Sequence, residues 1–342
     1  MMDPSAELLA LINANWTTQV VRAACELDIP GHLAQGKCSL DQLAGATGCH
    51  APSLRRLMRA LATLGLCVET DAEQYGLAPM GRLLCDDDPQ SLRAWALLVG
   101  GPHWARWGEL HESVRTGRSF KQRHLGEEGF GDLDTDPAAA KLFHRAMVQM
   151  TRRTAAPIVA AIPTGKAECV VDVGGGQGEL LATVLQANPS AHGILFDLPA
   201  GVAGAHDAFE RSGLMDRCRI QSGDFFRAVP EGGDIYLLKS VLHNWDDERA
   251  VRILANCRDA MRLGGTVIAV ERTMSRGPDG SAADPVTVRS DLNMLVALTG
   301  RERTHVEFDA LFAQAGLGPT TLIATCGDFS LIVGAALDAS RQ

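Results

Sequence analysis

The chain has 342 residues, 46% of them hydrophobic and 21% charged, with a formal net charge of −9. That length fits about two domains, and the balance fits a globular chain rather than a disordered one. The acidic sum disfavours a general binder of nucleic acid or of anionic membranes. Nine cysteines, at 25, 38, 49, 67, 85, 169, 218, 257 and 326, form no CxxC pair, and most sit inside apolar runs. They read as reduced thiols rather than a disulfide or zinc framework. The start MMDPSAELL has no basic stretch before an apolar core. No run of about 18 apolar residues follows, so neither a signal peptide nor a transmembrane helix is expected, and a cytoplasmic protein is.

Up to about residue 165 the periodicity is helical. Leu8, Ile12, Trp16 and Val20 recur at i, i+4 and make a long apolar stripe. Ser39 with Gln42 predicts a capping box at the head of a short helix, DQLAGATG. Pro52 suits the first turn of a second helix, with Leu54, Leu57, Met58, Leu61 and Leu64 on its buried face. Two short extended segments follow in LCVETDAEQYGLAP, which completes a winged-helix pattern. Arg55, Arg56 and Arg59 on the second helix offer a DNA-binding reading. The acidic total favours instead a packing domain with a solvated basic face. The stretch from Ser113, SVRTGRSFKQRHLGEEGFGDLDTD, reads as a loop packed between the halves. Ala138 to Ile162 reads as a helix carrying Phe143, Met147 and Met150 on one face, either core or the wall of an apolar ligand pocket.

After Gly165 strands and helices alternate. CVVDVGGG is a buried strand running into a glycine turn, GELLATVLQA a helix, and HGILFDLP a second strand. CRIQSGDFF, DIYLLKSVLH and GGTVIAVE are further strands. A helix over DDERAVRILANCRDAMRLGG is expected to stop at Gly264-Gly265. TTLIATC and SLIVGAAL look like a closing hairpin with an antiparallel strand. This pattern predicts an α/β domain with a mostly parallel, doubly wound sheet, whose ligands bind beyond the carboxyl ends of its strands.

The turn Asp172-Val173-Gly174-Gly175-Gly176-Gln177-Gly178 follows a strand and opens a helix, so backbone N–H groups face a ligand there. Neither glycine frame completes G-x-G-x-x-G, and no GK[ST] follows, so dinucleotide and Walker readings fail. Side chains at 174, 175, 176 and 178 are expected to block a ligand. Asp197, followed by Leu198, ends the next strand, where a carboxylate accepts from a ribose diol. Gly223-Asp224-Phe225 ends the third strand, with Asp224 set for an adenine amino group and Phe225 for the ring face. Lys239 ends the fourth. Together these suit an adenosine without phosphates, as in S-adenosylmethionine.

In this order DVGGGQGEL, FDLP, GDFF, LKSVLHNWDDE, AVE and DLNMLVALTGRERTHVEF resemble the S-adenosylmethionine-dependent O-methyltransferases of the plant caffeate type and their bacterial natural-product relatives. The resemblance spans nearly the whole chain. It implies a winged-helix dimerisation domain over residues 1–100 and a helical, substrate-lining region over 101–164. A Rossmann-like class I methyltransferase domain over 165–342 completes the chain. It implies a homodimer through the N-terminal helices, S-adenosylmethionine converted to S-adenosylhomocysteine, and neither nucleic acid nor membrane as partner.

The resemblance also implies His243 as general base. A phenol with a pKa of about 10 becomes a better nucleophile toward the sulfonium methyl, attacking in line, as a near-neutral base takes its proton. Glu271 and Glu302 match the family's acidic residues beside that histidine, one fixing its tautomer. A surface carboxylate paired with Arg301 or Arg303 is the plainer alternative for Glu302. Asn244 stands where plant relatives often carry Asp. Asp246-Asp247-Glu248 reads as helix N-terminal acid rather than a metal site, so no metal is expected. Substrate contacts are expected from Trp104, Trp107, Phe143, Met147, Met150, Asn244, Asn293, Met294 and Val296, and a further one from His103. They suit an apolar, planar acceptor. The open alternatives are N- or C-methylation, a homologue turned to decarboxylation, hydroxylation or pericyclic chemistry, and a ligand-sensing transcription factor.

Overall fold

A computed structural model describes residues 3–70, 74–126, 129–165, 167–274, 284–325 and 327–337; Cys326 lies outside them. The chain forms two compact units, one of Met1–Ala105 with Lys141–Met150 and one of Arg106–Ala140 with Thr151–Gln342.

In the first unit the helix Pro4–Glu26 starts at Asp3, whose side chain accepts from the Ser5 N–H. Its C-terminal end is buried at Ala24 and Cys25, but Leu8, Ile12 and Trp16 are 58%, 61% and 65% exposed. Leu8, Ile12 and Trp16 of the stripe read from the sequence therefore lie uncovered within one chain, while Val20 packs against the core of the unit. The helix Leu40–Thr47 begins with the expected Ser39–Gln42 capping box. The helix Ala51–Thr63 buries Leu54, Met58 and Leu61. Strands β1 (Cys38–Ser39), β2 (Cys67–Glu69) and β3 (Gln74–Leu77) pair antiparallel in the order β1-β3-β2. The long helix Pro137–Ala161 gives its middle stretch to this unit, where Ala146 packs with Ala94 and Leu98, flanked by Phe143 and Met147.

The second unit is built on seven strands. They are β4 (Cys169–Val173), β5 (His192–Asp197), β6 (Cys218–Ser222), β7 (Ile235–Lys239), β8 (Thr266–Glu271), β9 (Thr321–Ala324) and β10 (Ser330–Ala335). Their order is β6-β5-β4-β7-β8-β10-β9. The first five are parallel, while β10 runs antiparallel to both β8 and β9. Successive side chains of a strand point to opposite faces. Val171, Tyr236, Leu238, Val267 and Ala269 accordingly pack on one side with the helices Asp247–Ala260 and His305–Gln314. Val170, Leu195, Leu237, Ile268 and Val270 pack on the other with the helix Glu179–Ala187. Both faces are covered, which is why these strands read as nearly unbroken apolar runs. The chain reverses its direction of winding between β4 and β7. The carboxyl ends of β4 to β8 share one edge, the place where such sheets hold ligands.

Two sequence readings need correction. The stretch from Ser113 is not a loop but carries the short helices Leu110–Thr116, Phe120–His124 and Asp132–Thr135. Gly117, at φ +66°, ends the first, and a Ser119–Gln122 capping box starts the second. The first two pack on the helix Pro285–Ala297 of the same unit. Helices this short leave no apolar periodicity to read. The helix Asp247–Ala260 also stops earlier than expected, with Met261 as its cap, and Gly264 (φ +81°) only turns the chain into β8.

Candidate active site

At the end of β4 the chain turns tightly beside β5, where the Gly174 N–H donates to Phe196 O at 2.8 Å. A Cβ at Gly174 would meet Val241 at 2.8 Å, one at Gly175 would meet Asp172 and Leu195 at 2.6 Å, and one at Gly178 would strike the Phe209 ring. Only at Gly176, with φ +58°, would a Cβ meet open space. The reading that all four glycines make room for a ligand is thus narrowed: three are demanded by the protein's own packing, and Gly176 alone faces outward. Its N–H donates to Asp197 Oδ2 at 2.7 Å, and the Leu198 N–H donates to Oδ1 at 2.7 Å. Asp197 thereby ties the end of β5 to the glycine turn.

Asp172 is buried, and its Oδ2 has no hydrogen-bond partner among the described residues. Burial pushes its carboxyl up to about 7, with Asp197 adding to the shift and Lys239 opposing it. Burial likewise pulls Lys239 down to about 8 against the charge of Glu271. Beyond β6, a Cβ at Gly223 would meet the Phe196 ring at 2.6 Å. Asp224 Oδ1 accepts the Phe226 N–H at 2.9 Å. The Phe225 ring packs edge-on against Phe226 and Trp245 at centroid distances of 4.9 and 6.1 Å. The residues read as cofactor-binding therefore line consecutive strand ends of one edge.

His243 sits in a single 3-10 turn, Leu242–Asn244, just past β7. The lead-in residue Ser240 has φ +55° and donates its N–H to Val270 O of the neighbouring strand at 3.0 Å. Asn244, expected at the substrate, donates its amide to Ser240 O at 3.0 Å and so braces this bend. Glu271 ends β8 alongside. Its Oε1 accepts the N–H groups of Val241, Leu242 and His243 at 3.0, 2.8 and 3.4 Å. His243 Nδ1 lies 3.0 Å from Glu302 Oε1 and 3.4 Å from Glu271 Oε2. The Ser290 hydroxyl donates to Glu302 Oε1 at 2.6 Å, and the Glu302 N–H donates to Asp291 Oδ1 at 2.9 Å.

All three ionisable groups are buried. Burial pulls the His243 pKa down, but the charge of Glu271 and the hydrogen bond and charge of Glu302 outweigh it and raise it above the usual 6.5. Burial also raises Glu271, with Glu302 adding to the shift. Burial opposes the shift at Glu302, but hydrogen bonds from His243 and Ser290 hold its carboxyl below its usual value. The second oxygens, Glu271 Oε2 and Glu302 Oε2, make no hydrogen bond among the described residues. Two carboxylates thus face one imidazole edge. A proton held on Nδ1 by that acidic side leaves Nε2 as the acceptor nitrogen.

The adjacent arginines do not pair with Glu302. Arg301 reaches Asp247 and Glu307, and Arg303 reaches Asp247. Arg303 is the residue the sequence did not disclose. It is fully buried, and it donates to Leu242 O at 3.0 Å, Trp245 O at 2.7 Å and Asp247 Oδ1 at 2.7 and 2.9 Å. It grips the carbonyl side of the His243 turn while Glu271 grips the N–H side. Gly300 packs so closely on His243 O that a Cβ there would clash. A buried arginine between two backbone carbonyls leaves no periodic trace. The RERT string, with an acid flanked by two bases, was its one signal.

Trp107 and Asn293 meet in this unit, the indole N–H donating to Asn293 Oδ1 at 3.0 Å. Met294 is buried with Ala297 and Leu298 against Phe130. Val296 is fully buried and is core, not pocket wall: it falls on the inward side of its helix. Trp104, Phe143, Met147 and Met150 belong to the first unit, as does His103, which packs edge-on to Trp95.

A doubly wound sheet with an antiparallel last pair, a glycine turn at its switch point and a carboxylate-supported histidine on the same edge define a methyltransferase-type fold. The O-methyltransferase domain model matches residues 107–318, and the O-methyltransferase dimerisation domain model matches residues 9–87. A phenazine O-methyltransferase of Lysobacter antibioticus is 35% identical over 96% of this chain and 95% of its own length. An 8-amino-8-demethylriboflavin N,N-dimethyltransferase of Streptomyces davaonensis is 36% identical over 87% of this chain and 85% of its own. Among solved structures, an O-methyltransferase of neocarzinostatin biosynthesis was crystallised with S-adenosylmethionine and 2-hydroxy-5-methyl naphthoic acid. It superposes with a TM-score of 0.78 at 33% identity, covering 94% of this chain and 96% of that one. The chain belongs to the O-methyltransferase family and is an S-adenosylmethionine-dependent enzyme of that class. No described helix is long and apolar enough to cross a membrane.

Proposed function

We propose that the protein methylates a phenolic hydroxyl of a planar aromatic natural product, with His243 as the general base. The observation that carries this reading is the fixed imidazole: Nδ1 set 3.0 Å from buried Glu302, beside Glu271, at the end of β7. The glycine turn ends β4, the strand hydrogen-bonded to β7.

The residues of that edge fit S-adenosylmethionine, because Gly176 opens to space and the buried Asp172 Oδ2 lacks a partner among the described residues. Asp172, Gly174, Gly175, Gly176, Asp197, Leu198, Gly223, Asp224, Phe225 and Lys239 would hold it. When bound, it supplies an electrophilic methyl on a positively charged sulfur. His243 Nε2 takes the phenolic proton as the oxygen becomes nucleophilic. Glu302 and Glu271 stabilise the imidazolium so formed, which is the role an acid plays behind a catalytic histidine. Trp107, Asn244, Asn293 and Met294, all of the second unit, are proposed to contact the acceptor.

His243 Nδ1, Glu271 and Glu302 also offer three donor atoms within 4.8 Å of one another, a spacing a metal ion could use. We read them as a base and its acids, with His243 Nδ1 hydrogen-bonded to Glu302 Oε1 at 3.0 Å. Full activity after exhaustive chelation supports that reading, and loss of activity restored by a divalent cation overturns it. An amine acceptor is the second reading, favoured by the flavin N,N-dimethyltransferase relative. It uses the same proton acceptor.

The exposed Leu8, Ile12 and Trp16 suit the face of a homodimer, since a contiguous apolar patch marks an interaction surface. Trp16→Asp should yield a monomer by light scattering. The decisive experiment is His243→Ala assayed by product mass spectrometry on a panel of phenols. The rate should fall by about 10²–10⁴ with cofactor affinity retained. A rate within a few-fold of wild type would show that another group takes the proton.

A further inference from the structure

Arg272 follows Glu271, the residue that ends β8, and its side chain is only 15% exposed. Its ion-pair partner, Asp328, stands 3.9 Å away, beyond hydrogen-bond reach, and is itself 54% exposed. The guanidinium makes no hydrogen bond among the described residues, and its Nε is buried. Its central carbon lies over the Phe329 ring, 4.5 Å from the centroid. That contact occupies the flat face of the group and leaves its N–H edge unused. A charged donor held in this way is costly unless an anion meets it.

The order of the strands says which bound molecule brings that anion. The glycine turn ends β4, Lys239 ends the neighbouring β7, and Arg272 lies just past β8, two strands from the turn. At about 4.8 Å per strand, that is roughly 10 Å to the side of the glycine turn. Lys239 reaches the same Phe329 ring from the glycine-turn side, 4.9 Å from its centroid, and its charge opposes the rise that burial drives at Asp172. The charge of Arg272 acts on the base instead. Beyond burial and the pairing of His243 with Glu271 and Glu302, it lowers the pKa of both His243 and Glu302. The chain after Arg272 leads to the helix Pro285–Ala297, which carries Asn293 and Met294. Lys239 and Arg272 together offset the acids Glu271 and Glu302. A bound sulfonium then adds positive charge to this edge, so an anionic group on the acceptor is attracted there.

We propose that Arg272 binds a carboxylate carried by the acceptor, so that the enzyme prefers hydroxyaryl carboxylic acids to the same hydroxyarenes with a neutral substituent. The inference rests on the reading of His243 as base. The Nε and one Nη donor of a guanidinium meet both oxygens of a carboxylate in parallel. Such a pair holds a planar ring in one orientation and so selects the hydroxyl that faces His243 Nε2.

The test compares hydroxynaphthoic acids with their methyl esters and carboxamides, with S-adenosylmethionine saturating. Wild type should show a kcat/KM for the acids at least about ten-fold above that for the neutral partners, mainly through KM. Arg272→Gln should abolish that ratio, and Arg272→Lys, which keeps the charge without the fork, should retain part of it. The ratio is read rather than either rate, because loss of the Arg272 charge lets the His243 pKa rise and slows both substrates alike. Calorimetric binding of a hydroxynaphthoate to the S-adenosylhomocysteine-loaded protein should weaken in step. If Arg272→Gln does not fold, wild type and Arg272→Lys carry the same comparison. Equal kcat/KM for acid and ester in wild type, or an acid preference that survives Arg272→Gln, overturns the inference. A fall in cofactor affinity with the acid preference intact also overturns it, and gives the anion as the cofactor's own carboxylate. Failure of the base reading shows separately, as methylation that survives His243→Ala, and hydroxynaphthoate binding still decides the role of Arg272.

Discussion

The turns after β4 and β7 sit at the ends of hydrogen-bonded neighbours, yet they are built in opposite ways. The β4 turn is made of backbone: glycines pack on Val241, Leu195 and Phe209, and one carboxylate, Asp197, ties it to β5. The β7 turn is made by side chains from distant segments. Glu271 holds its N–H groups, Arg303 its carbonyls, and Glu302 its imidazole. The first kind of site needs small residues in a row. The second needs charges brought together by the fold, and each of them serves both structure and chemistry.

The contrast predicts that the β7 turn should suffer most from loss of a single charge. Arg303→Met leaves Leu242 O and Trp245 O without their buried donor. It should cost about 3 kcal/mol in denaturant unfolding and lower kcat more than cofactor affinity. Arg303→Lys should recover part of both. Loss of stability with kcat and its pH profile unchanged would show that the clamp supports the fold but does not position the base.

Glu302→Gln probes the electrostatics with a smaller effect, because Glu271 still faces the ring. The base must be neutral to accept a proton, and its folded pKa is raised above 6.5. The wild-type rate should therefore climb as pH rises through that raised value. Removing the Glu302 charge should move the climb to lower pH. Stability follows the matching sign. The pairing stabilises the fold fully below pH 6.5 and fades as pH passes the folded pKa, so the variant should lose that part of the pH dependence. An unmoved inflection would mean that another group sets the profile.

Asp197→Asn should give the smallest change. The amide can still accept from one backbone N–H, so the turn should persist while calorimetry shows cofactor affinity lowered by about ten-fold. Unchanged affinity would leave Asp197 as a brace for the turn alone.

Much of this was legible in the sequence. The winged helix, the alternating strands and helices, and the closing antiparallel pair each leave a periodic signal or a capping signal, such as Ser39 with Gln42. The helices between Leu110 and Thr135 did not, because four to seven residues are too few to show a period. His243, Glu271 and Glu302 were reached by resemblance, the first two also by their places at strand ends. That Glu302 turns inward while Arg301 and Arg303 reach Asp247 could not be read from RERT, since neighbouring residues on an extended stretch point opposite ways.

The sequence by itself determined the parallel sheet, its glycine turn and the chemical types available at its edge, because backbone geometry and apolar patterning are local properties. Only the tertiary structure decided which glycine faces outward, where Arg303 is buried, and which way the Asn293 amide points. Those follow from contacts between residues as far apart as Leu242 and Arg303, or Trp107 and Asn293, and no local pattern carries a hydrogen bond across that separation.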